Sequence, residues 1–173
     1  MVRRKTWGAE MTPLQKAAFL LDLKALKKAT LNGENVGGLM LAACSSHDAA
    51  PKRQVEVIRF LKSKGALVNE TDKNGVTPLH RAVRFRSPAA VKALLKMGAN
   101  VDAQDRKSHS TALHRAVTNT GAPMTKGKGA AVDEIIAALL KAGADARIKN
   151  KLGKKPIEYA KNQGIKYLLR ARR

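Results

Sequence analysis

The chain has 173 residues with 34 Lys or Arg against 13 Asp or Glu, a formal net charge of +21 at pH 7, and only 3% aromatic residues. So few aromatics leave the core to Leu, Ile, Val and Ala, which suits closely stacked helices and argues against a β-sandwich or barrel. The length allows one globular domain or a short array of units of about 33 residues, and the charge indicates an anionic partner or a solubilising surface.

A basic extension occupies residues 1–7, and the first apolar run follows at Ala17–Leu21. Lys16 and Asp22 flank this run, which is too short for the core of a signal peptide or for a membrane-spanning helix. Cys44 is the single cysteine, which excludes an internal disulfide bond and fits a reducing compartment. We therefore expect a soluble intracellular protein without a transmembrane segment, located in the cytoplasm or, for an effector, in the nucleus or a host cell.

Two weak helix starts come next, at Thr12–Ala17 and Gly38–Ala43, and a longer helix at Glu56–Ala66 ends in Gly-Ala. The best-formed unit runs from Asn74 to Val101. It begins with a Thr N-cap followed by Pro at the first helical position, and its second helix ends at a Gly suited to a left-handed C-terminal residue. Each helix is too short to persist alone in water, so the unit needs copies beside it.

Those copies are present further along the chain. Thr111–Val117 is nearly identical to the helix start at residues 77–83, and Glu134–Ala144 aligns without a gap with the second helices at 56–66 and 89–99. Lys155–Ala160 begins a more polar last unit, which suits a terminal cap that meets water. Residues 45–54 and 118–131 are inserts between paired helices, and the second has the composition of a flexible segment.

These repeats resemble the ankyrin-repeat family through the Thr-Pro-Leu-His-x-Ala signature and the second helices ending in Gly-Ala. The resemblance covers about Thr12 to Leu169. It implies an all-α solenoid of about five stacked helix–turn–helix units joined by short β-hairpin fingers. The expected organisation is a basic extension at 1–7, one domain at 8–169 with repeats at 8–35, 36–70, 71–104, 105–149 and 150–169, and a basic tail at 170–173.

Apolar periodicity predicts which side chains fill the core. The expected core residues are Leu14, Leu20, Leu41, Val57, Ile58, Leu61, Leu79, Ala82, Val91, Leu94, Leu95, Leu113, Ala116, Ile135, Ile136, Leu139, Leu140, Ile157, Ala160 and Leu168. His80 and His114 occupy the same repeat position, and the resemblance implies that such an imidazole bridges backbone groups of neighbouring fingers. Their role is therefore expected to be structural.

No catalytic, metal or cofactor site is expected. Cys44 and His47 have near metal-ligand spacing, but no second pair completes a tetrahedral set. Residues 121–128 resemble a phosphate-binding loop but have the wrong glycine spacing, no hydroxyl after the lysine and no preceding strand. No Ser/His/Asp or Cys/His set converges by its spacing, so we expect no enzyme activity.

The resemblance implies that partners bind to a concave groove formed by the finger tips and the exposed residues of the first helices. The corresponding positions here are Lys73, Asn74, Val76, Arg106, Lys107, His109, Lys151, Leu152 and Lys154 in the fingers, Arg84, Phe85, Thr118 and Asn119 in the first helices, and Arg81 and Arg115 on their rim. None of these residues is acidic, so the groove is expected to attract anions.

We predict a non-enzymatic protein–protein interaction module that presents this basic groove to an acidic protein. The alternative is non-specific nucleic-acid binding by the same surface, which the net charge favours and the scarcity of stacking aromatics disfavours. The sequence does not fix the oligomeric state, and a monomer is favoured.

Overall fold

The computed structural model describes residues 11–29, 35–46, 50–118, 129–161 and 163–170. Within these ranges the chain forms nine α-helices and one short 3-10 helix, Pro156–Tyr159. The α-helices are α1 (Pro13–Phe19), α2 (Leu23–Lys28), α3 (Leu39–Cys44), α4 (Pro51–Ser63), α5 (Pro78–Arg84), α6 (Pro88–Lys96), α7 (Ala112–Val117), α8 (Gly129–Lys141) and α9 (Gln163–Arg170). The predicted extension at 1–7, most of the second insert, His47, Asn119 and the tail beyond Arg170 lie outside the described residues.

Threonine caps define where the first helices begin. The side-chain oxygens of Thr12, Thr77 and Thr111 each accept a hydrogen bond from the backbone N–H three residues later. The side chain at that later position in turn accepts a hydrogen bond from the threonine backbone N–H. This reciprocal pair satisfies two N–H groups that a helix start otherwise leaves without partners. Pro13 and Pro78 then occupy the first helical position, where the missing N–H has no cost.

The helices stack in two rows. The first helices α1, α3, α5, α7 and the 3-10 helix contact one another in that order, and α2, α4, α6, α8 and α9 form the second row. Each pair is too small to bury its own apolar face, so neighbouring pairs supply the core. This arrangement confirms the predicted solenoid of helix pairs.

Most of the predicted core is buried. Val57, Ile58, Leu61, Leu79, Ala82, Val91, Leu94, Leu113, Ala116, Ile135, Ile136, Leu139, Leu140 and Ala160 are buried, whereas Leu14, Leu41, Leu95 and Ile157 are only partly so. Two positions were wrong by one residue: Leu20 is 55% exposed and Leu168 is 39% exposed, while Leu21 and Leu169 are buried.

Local backbone geometry explains both shifts. The helix α1 ends at Phe19, and Leu21 then adopts a left-handed φ of 57°, which reverses the chain and turns this side chain inwards. In α9, Leu169 lies four residues after Ile165, which packs against the core, so the two share one helical face and Leu168 does not.

The fingers are tighter than expected. Each is a turn closed by a pair of backbone hydrogen bonds, such as Asp72 N–H to the Val76 carbonyl and Gly75 N–H to the Asp72 carbonyl. One such pair is too short to make a strand ladder, so none of the described residues lies in a β-strand. The predicted β-hairpins are therefore tight turns here.

A carboxylate from the end of the same unit caps α3. Gly38 is the N-cap of this helix and has no side chain for the purpose. Glu70 accepts hydrogen bonds from the N–H groups of Gly38 and Leu41, both at 2.8 Å. Burial raises the pKa of this carboxyl, against the lowering effect of its backbone N–H donors. Glu70 therefore ties the end of the second unit to the start of its own first helix.

No helix in the described ranges has the length and apolar character needed to cross a membrane.

Candidate functional site

The first finger holds Lys73 and Asn74 at its tip. Asp72 sets its shape, because one carboxylate oxygen accepts the N–H groups of Asn74 at 2.8 Å and Val76 at 3.0 Å. Gly75 takes a positive φ of 72° at the turn. Lys73 and Asn74 are consequently exposed, whereas Val76 is only 8% exposed and departs from its expected position on the surface.

The second finger is one residue longer and carries more charge at its tip. The Asp105 carboxylate accepts the N–H groups of Lys107 at 3.0 Å and Ser108 at 2.7 Å, together with the Ser108 hydroxyl at 2.6 Å. His109 absorbs the extra residue with a left-handed φ of 51°. Arg106, Lys107 and His109 are all exposed as a result.

The third finger repeats this geometry with an amide. Asn150 accepts the N–H groups of Leu152 at 3.0 Å and Lys154 at 3.2 Å. Lys151 and Lys154 are exposed, and Leu152 is 75% exposed between them. The Lys154 ammonium lies 5.9 Å from the ring centroid of Tyr159, a cation–π distance that holds its stem over the ring.

Backbone hydrogen bonds hold the three finger tips side by side. The Arg106 N–H donates to the Asn74 carbonyl at 2.9 Å, and the Lys151 N–H donates to the Ser108 carbonyl at 2.9 Å. Gly75 permits the first of these contacts, because a Cβ there would lie 2.8 Å from Cγ of Arg106 and 3.0 Å from its backbone nitrogen. The tip charges therefore share one edge of the molecule.

Two of the predicted groove cations are instead used internally. Arg81 is only 8% exposed and pairs with the Asp72 carboxylate at 2.7 Å, and half-buried Arg115 pairs with Asp105 at 3.1 Å. A guanidinium at these positions lies above its own finger, where it binds the carboxylate that braces that finger. Arg81 was expected on the exposed rim and is buried; Arg115 presents little unneutralised charge.

Burial raises the pKa of Asp105, but the hydrogen bonds from the Ser108 hydroxyl and amide and the pairing with Arg115 outweigh this effect and bring it to about 2. The carboxylate therefore stays ionised, and its charge cancels that of Arg115. The positive charge that remains unneutralised at this edge belongs to the cations other than Arg81 and Arg115.

The ends of α5 and α7 complete the surface. Arg84 ends α5 and is exposed, while Phe85 and Thr118 follow α5 and α7 as half-buried C-caps. A depression of about 260 Å³ lies beside them, lined by Arg84, Ser108, Ser110, His114, Arg115 and Thr118. Sequence reasoning missed Ser108 and Ser110, although their place in the one longer finger was a usable signal.

We define the finger face as the accessible part of this surface. It comprises Lys73, Asn74, Arg84, Phe85, Arg106, Lys107, His109, Thr118, Lys151 and Lys154. Its five lysine and arginine side chains on the fingers and Arg84 form no ion pair with a carboxylate of the described residues.

The two repeated histidines lie beneath this face and are structural. Nδ1 of His80 accepts the Thr77 N–H at 3.2 Å, and its Nε2 lies 3.0 Å from the Ser110 carbonyl in the next finger. An acceptor at Nδ1 and a donor at Nε2 define the neutral Nε2–H tautomer. His114 makes the same contacts with Thr111 and the Lys154 carbonyl, which confirms the expected bridge between fingers.

Burial, with the nearby charge of Arg115, lowers the pKa of His80 from 6.5 to about 4. Burial also lowers the pKa of His114. Both imidazoles therefore stay neutral at pH 7, and neither adds to the positive charge of the finger face.

Cys44 is fully buried, and burial raises the pKa of its thiol. Among the described residues, no three His, Cys, Asp or Glu side chains converge as metal ligands would.

The protein is a repeat solenoid of stacked helix pairs. Its turn-like fingers are joined to one another by imidazole bridges, and a fold of this kind presents an extended surface for binding. The family model for ankyrin repeats matches three copies, over residues 14–105 and 39–126. The chain belongs to the ankyrin-repeat family. This repeat domain is a non-enzymatic fold that serves as a general protein-interaction module.

The chain is similar to segments of several different kinds of protein. The chain is 41% identical over 63 residues to human SH3 and multiple ankyrin repeat domains protein 2, covering 36% of this chain and 3% of that protein. It is 30% identical over 154 residues to the mouse B-cell lymphoma 3 protein homolog, covering 88% and 31%. It is 32% identical over 112 residues to glycerophosphocholine phosphodiesterase gde1 of Schizosaccharomyces pombe, covering 65% and 9%. The chain thus spans less than a third of each of these relatives.

Proposed function

We propose that this chain is a non-enzymatic interaction module whose finger face binds an acidic segment of a partner protein. One observation carries the proposal. Lys73, Arg84, Arg106, Lys107, Lys151 and Lys154 are exposed without a carboxylate partner among the described residues, whereas the acids nearest them, Asp72 and Asp105, are bound to Arg81 and Arg115. The surface therefore keeps its positive charge for an external anion.

The geometry favours such a partner for two reasons. Backbone hydrogen bonds fix the spacing of the fingers, so a segment binds to a pre-ordered surface with little loss of conformational freedom. Cations of one sign along an edge also speed association and make it sensitive to salt.

The test uses a fluorescein-labelled peptide of twelve glutamates and fluorescence anisotropy in 50–300 mM salt. The finger variant carries Arg84→Gln, Arg106→Gln and Lys107→Gln. Each exposed ion pair is worth about 0.2–1 kcal/mol, so we expect this variant to bind roughly tenfold more weakly and with a shallower salt dependence.

The matched control removes the same number of positive charges from a helix outside the finger face. The α4 variant carries Lys52→Gln, Arg59→Gln and Lys62→Gln, all exposed, and should bind within about twofold of the wild type. Equal losses in both variants would show that net charge alone attracts the peptide. Binding of random-sequence RNA more tightly than the peptide at 150 mM salt would instead support the nucleic-acid alternative.

A further inference from the structure

The second row of helices carries an open groove between α6 and α8, formed by residues that lie outside the finger face. Its volume is about 530 Å³, and its floor is apolar, with Leu95 on α6, Ala137 and Ala138 on α8, and Ala142 directly after α8. Its rim carries Lys92, Lys96, Lys141 and Glu134. We call it the α6–α8 groove.

The groove is open because small residues replace long ones on one wall. In the repeat alignment, Ala137 takes the place of Lys92, and Ala142 takes the place of Met97. A methyl group at each position leaves the space that a lysine stem or a methionine side chain fills one unit earlier. The preceding groove, between α4 and α6, therefore has long side chains where this one has room.

The wall formed by α6 also differs from the equivalent wall, formed by α4, of the preceding groove. Leu95 stands where α4 has Lys62, so an apolar side chain replaces a charged one. Leu95 and Ala138 are both partly buried and pack against the core, which keeps this wall in place. Exposing such a floor to water costs free energy that an apolar partner side chain would recover.

The rim supplies a charge preference. Lys92 and Glu134 form an ion pair across the groove, both about half exposed. Lys96 and Lys141 have no such partner among the described residues. Two ammonium groups thus flank an apolar floor, and the complementary surface is an apolar side chain with carboxylates near it.

We propose that the α6–α8 groove is a second docking site, which binds a segment of a partner protein that has a bulky apolar side chain flanked by acidic residues. The apolar side chain covers Leu95 and the three alanines, and the carboxylates reach Lys96 and Lys141. The site is separate from the finger face, so one partner or two can occupy the solenoid at once.

The test titrates the ¹⁵N-labelled full chain with a twelve-residue peptide that has Leu and Phe at its centre and Glu on both sides. Amide chemical shifts identify which helices the peptide contacts. We expect the largest shifts at residues 92–96 of α6 and at residues 134–142, which cover the end of α8 and the residue after it. A peptide with Ser for Leu and Phe should bind at least tenfold more weakly, as should a peptide with Gln for Glu at low salt.

The decisive double variant fills the groove with the residues that occupy the equivalent positions in the preceding repeat. Ala137→Lys with Ala142→Met introduces the residues found at the equivalent positions of the preceding repeat, exposed Lys92 and half-buried Met97. It should weaken binding at least tenfold even though it adds a positive charge. Ala142→Met alone provides a second, milder filling variant, and circular dichroism checks the helical content of both.

The finger variant serves as the control and should leave the shifts at α6 and α8, and the affinity fitted from them, as in the wild type. Unchanged affinity in the filled variants, or shifts confined to the fingers and α5, would overturn the second site. Neither result would bear on glutamate-peptide binding at the finger face, which has its own variants.

Discussion

Acid should destabilise this protein through its buried imidazoles, and His80 allows the effect to be calculated. Its Nδ1 accepts the Thr77 N–H and its Nε2 donates to the Ser110 carbonyl. A proton on Nδ1 turns that acceptor into a donor facing an N–H group. Burial and the nearby charge of Arg115 also disfavour the charged imidazole, and the pKa lies near 4 rather than at 6.5.

The sign and size of the effect follow from this difference. The unfolded chain binds a proton at about pH 6.5 and the folded chain only near pH 4, so stability is full above pH 6.5 and is lost as the pH falls towards 4. A full difference of this size corresponds to about 3 kcal/mol, of which about 2 kcal/mol is lost between pH 7.5 and pH 5. His114 has its pKa lowered in the same direction and adds to the loss.

Urea denaturation followed by circular dichroism at 222 nm, at half-unit steps from pH 7.5 to 5, measures this loss. The variant His80→Gln removes the titrating group, and Gln15 shows that glutamine can make the same capping box with its threonine. Its stability should fall much less steeply with acid than that of the wild type. His109→Gln, at an exposed position, is the control and should keep the wild-type slope. An unchanged slope in His80→Gln would refute the reasoning.

Three further predictions concern stability, each checked by urea denaturation at pH 7.5. Glu70→Ala removes the acceptor for two N–H groups at the start of α3 and should cost about 1–2 kcal/mol, with a smaller loss for Glu70→Gln, which keeps an acceptor. Gly75→Ala should lower the free energy of unfolding by about 1–3 kcal/mol because its Cβ meets Arg106. Gly98→Ala should lower it less, because Gly98 also has a positive φ but has open space around it. Asp105→Asn and Arg115→Gln should be coupled by about 0.5–2 kcal/mol in a double-mutant cycle, and additive effects would contradict their pairing.

The repeat register was predictable from the sequence because it rests on features that recur. The Thr-Pro-Leu-His helix start and the Gly-Ala helix end indicate where the helices begin and end. The structure has the predicted left-handed glycine at Gly98 and the same conformation at Gly65 and Gly143. Local capping decides these boundaries, so local sequence is enough to find them.

Errors arose where tertiary contacts decide the position of a side chain. Leu20 and Leu21 are both apolar, and only the left-handed turn after α1 determines which one is buried. Arg81 was expected on the exposed rim because the family resemblance places its repeat position there. The recurrence of an Asp in each of the first two fingers with an Arg in the following helix was nevertheless a signal for the pair.

The finger face was only partly predictable from the sequence. The exposure of Lys73, Arg106, Lys107, Lys151 and Lys154 followed from their place in the repeat. The depression beside Arg84 depends on how the longer second finger folds back over α7, which repeat spacing does not specify. The α6–α8 groove also arises from packing between helices that are far apart in the sequence, and only the alanines at one wall indicate it.

The imidazole bridges give the solenoid a direction along its length. His80 and His114 join the third unit to the fourth and the fourth to the fifth, while the same repeat position holds Gln15 and Leu41 in the first two units. The titrating histidine bridges therefore lie only at the later junctions. Acid should therefore weaken the contacts between the third, fourth and fifth units, so that the loss of stability is concentrated in the part of the solenoid that carries the fingers.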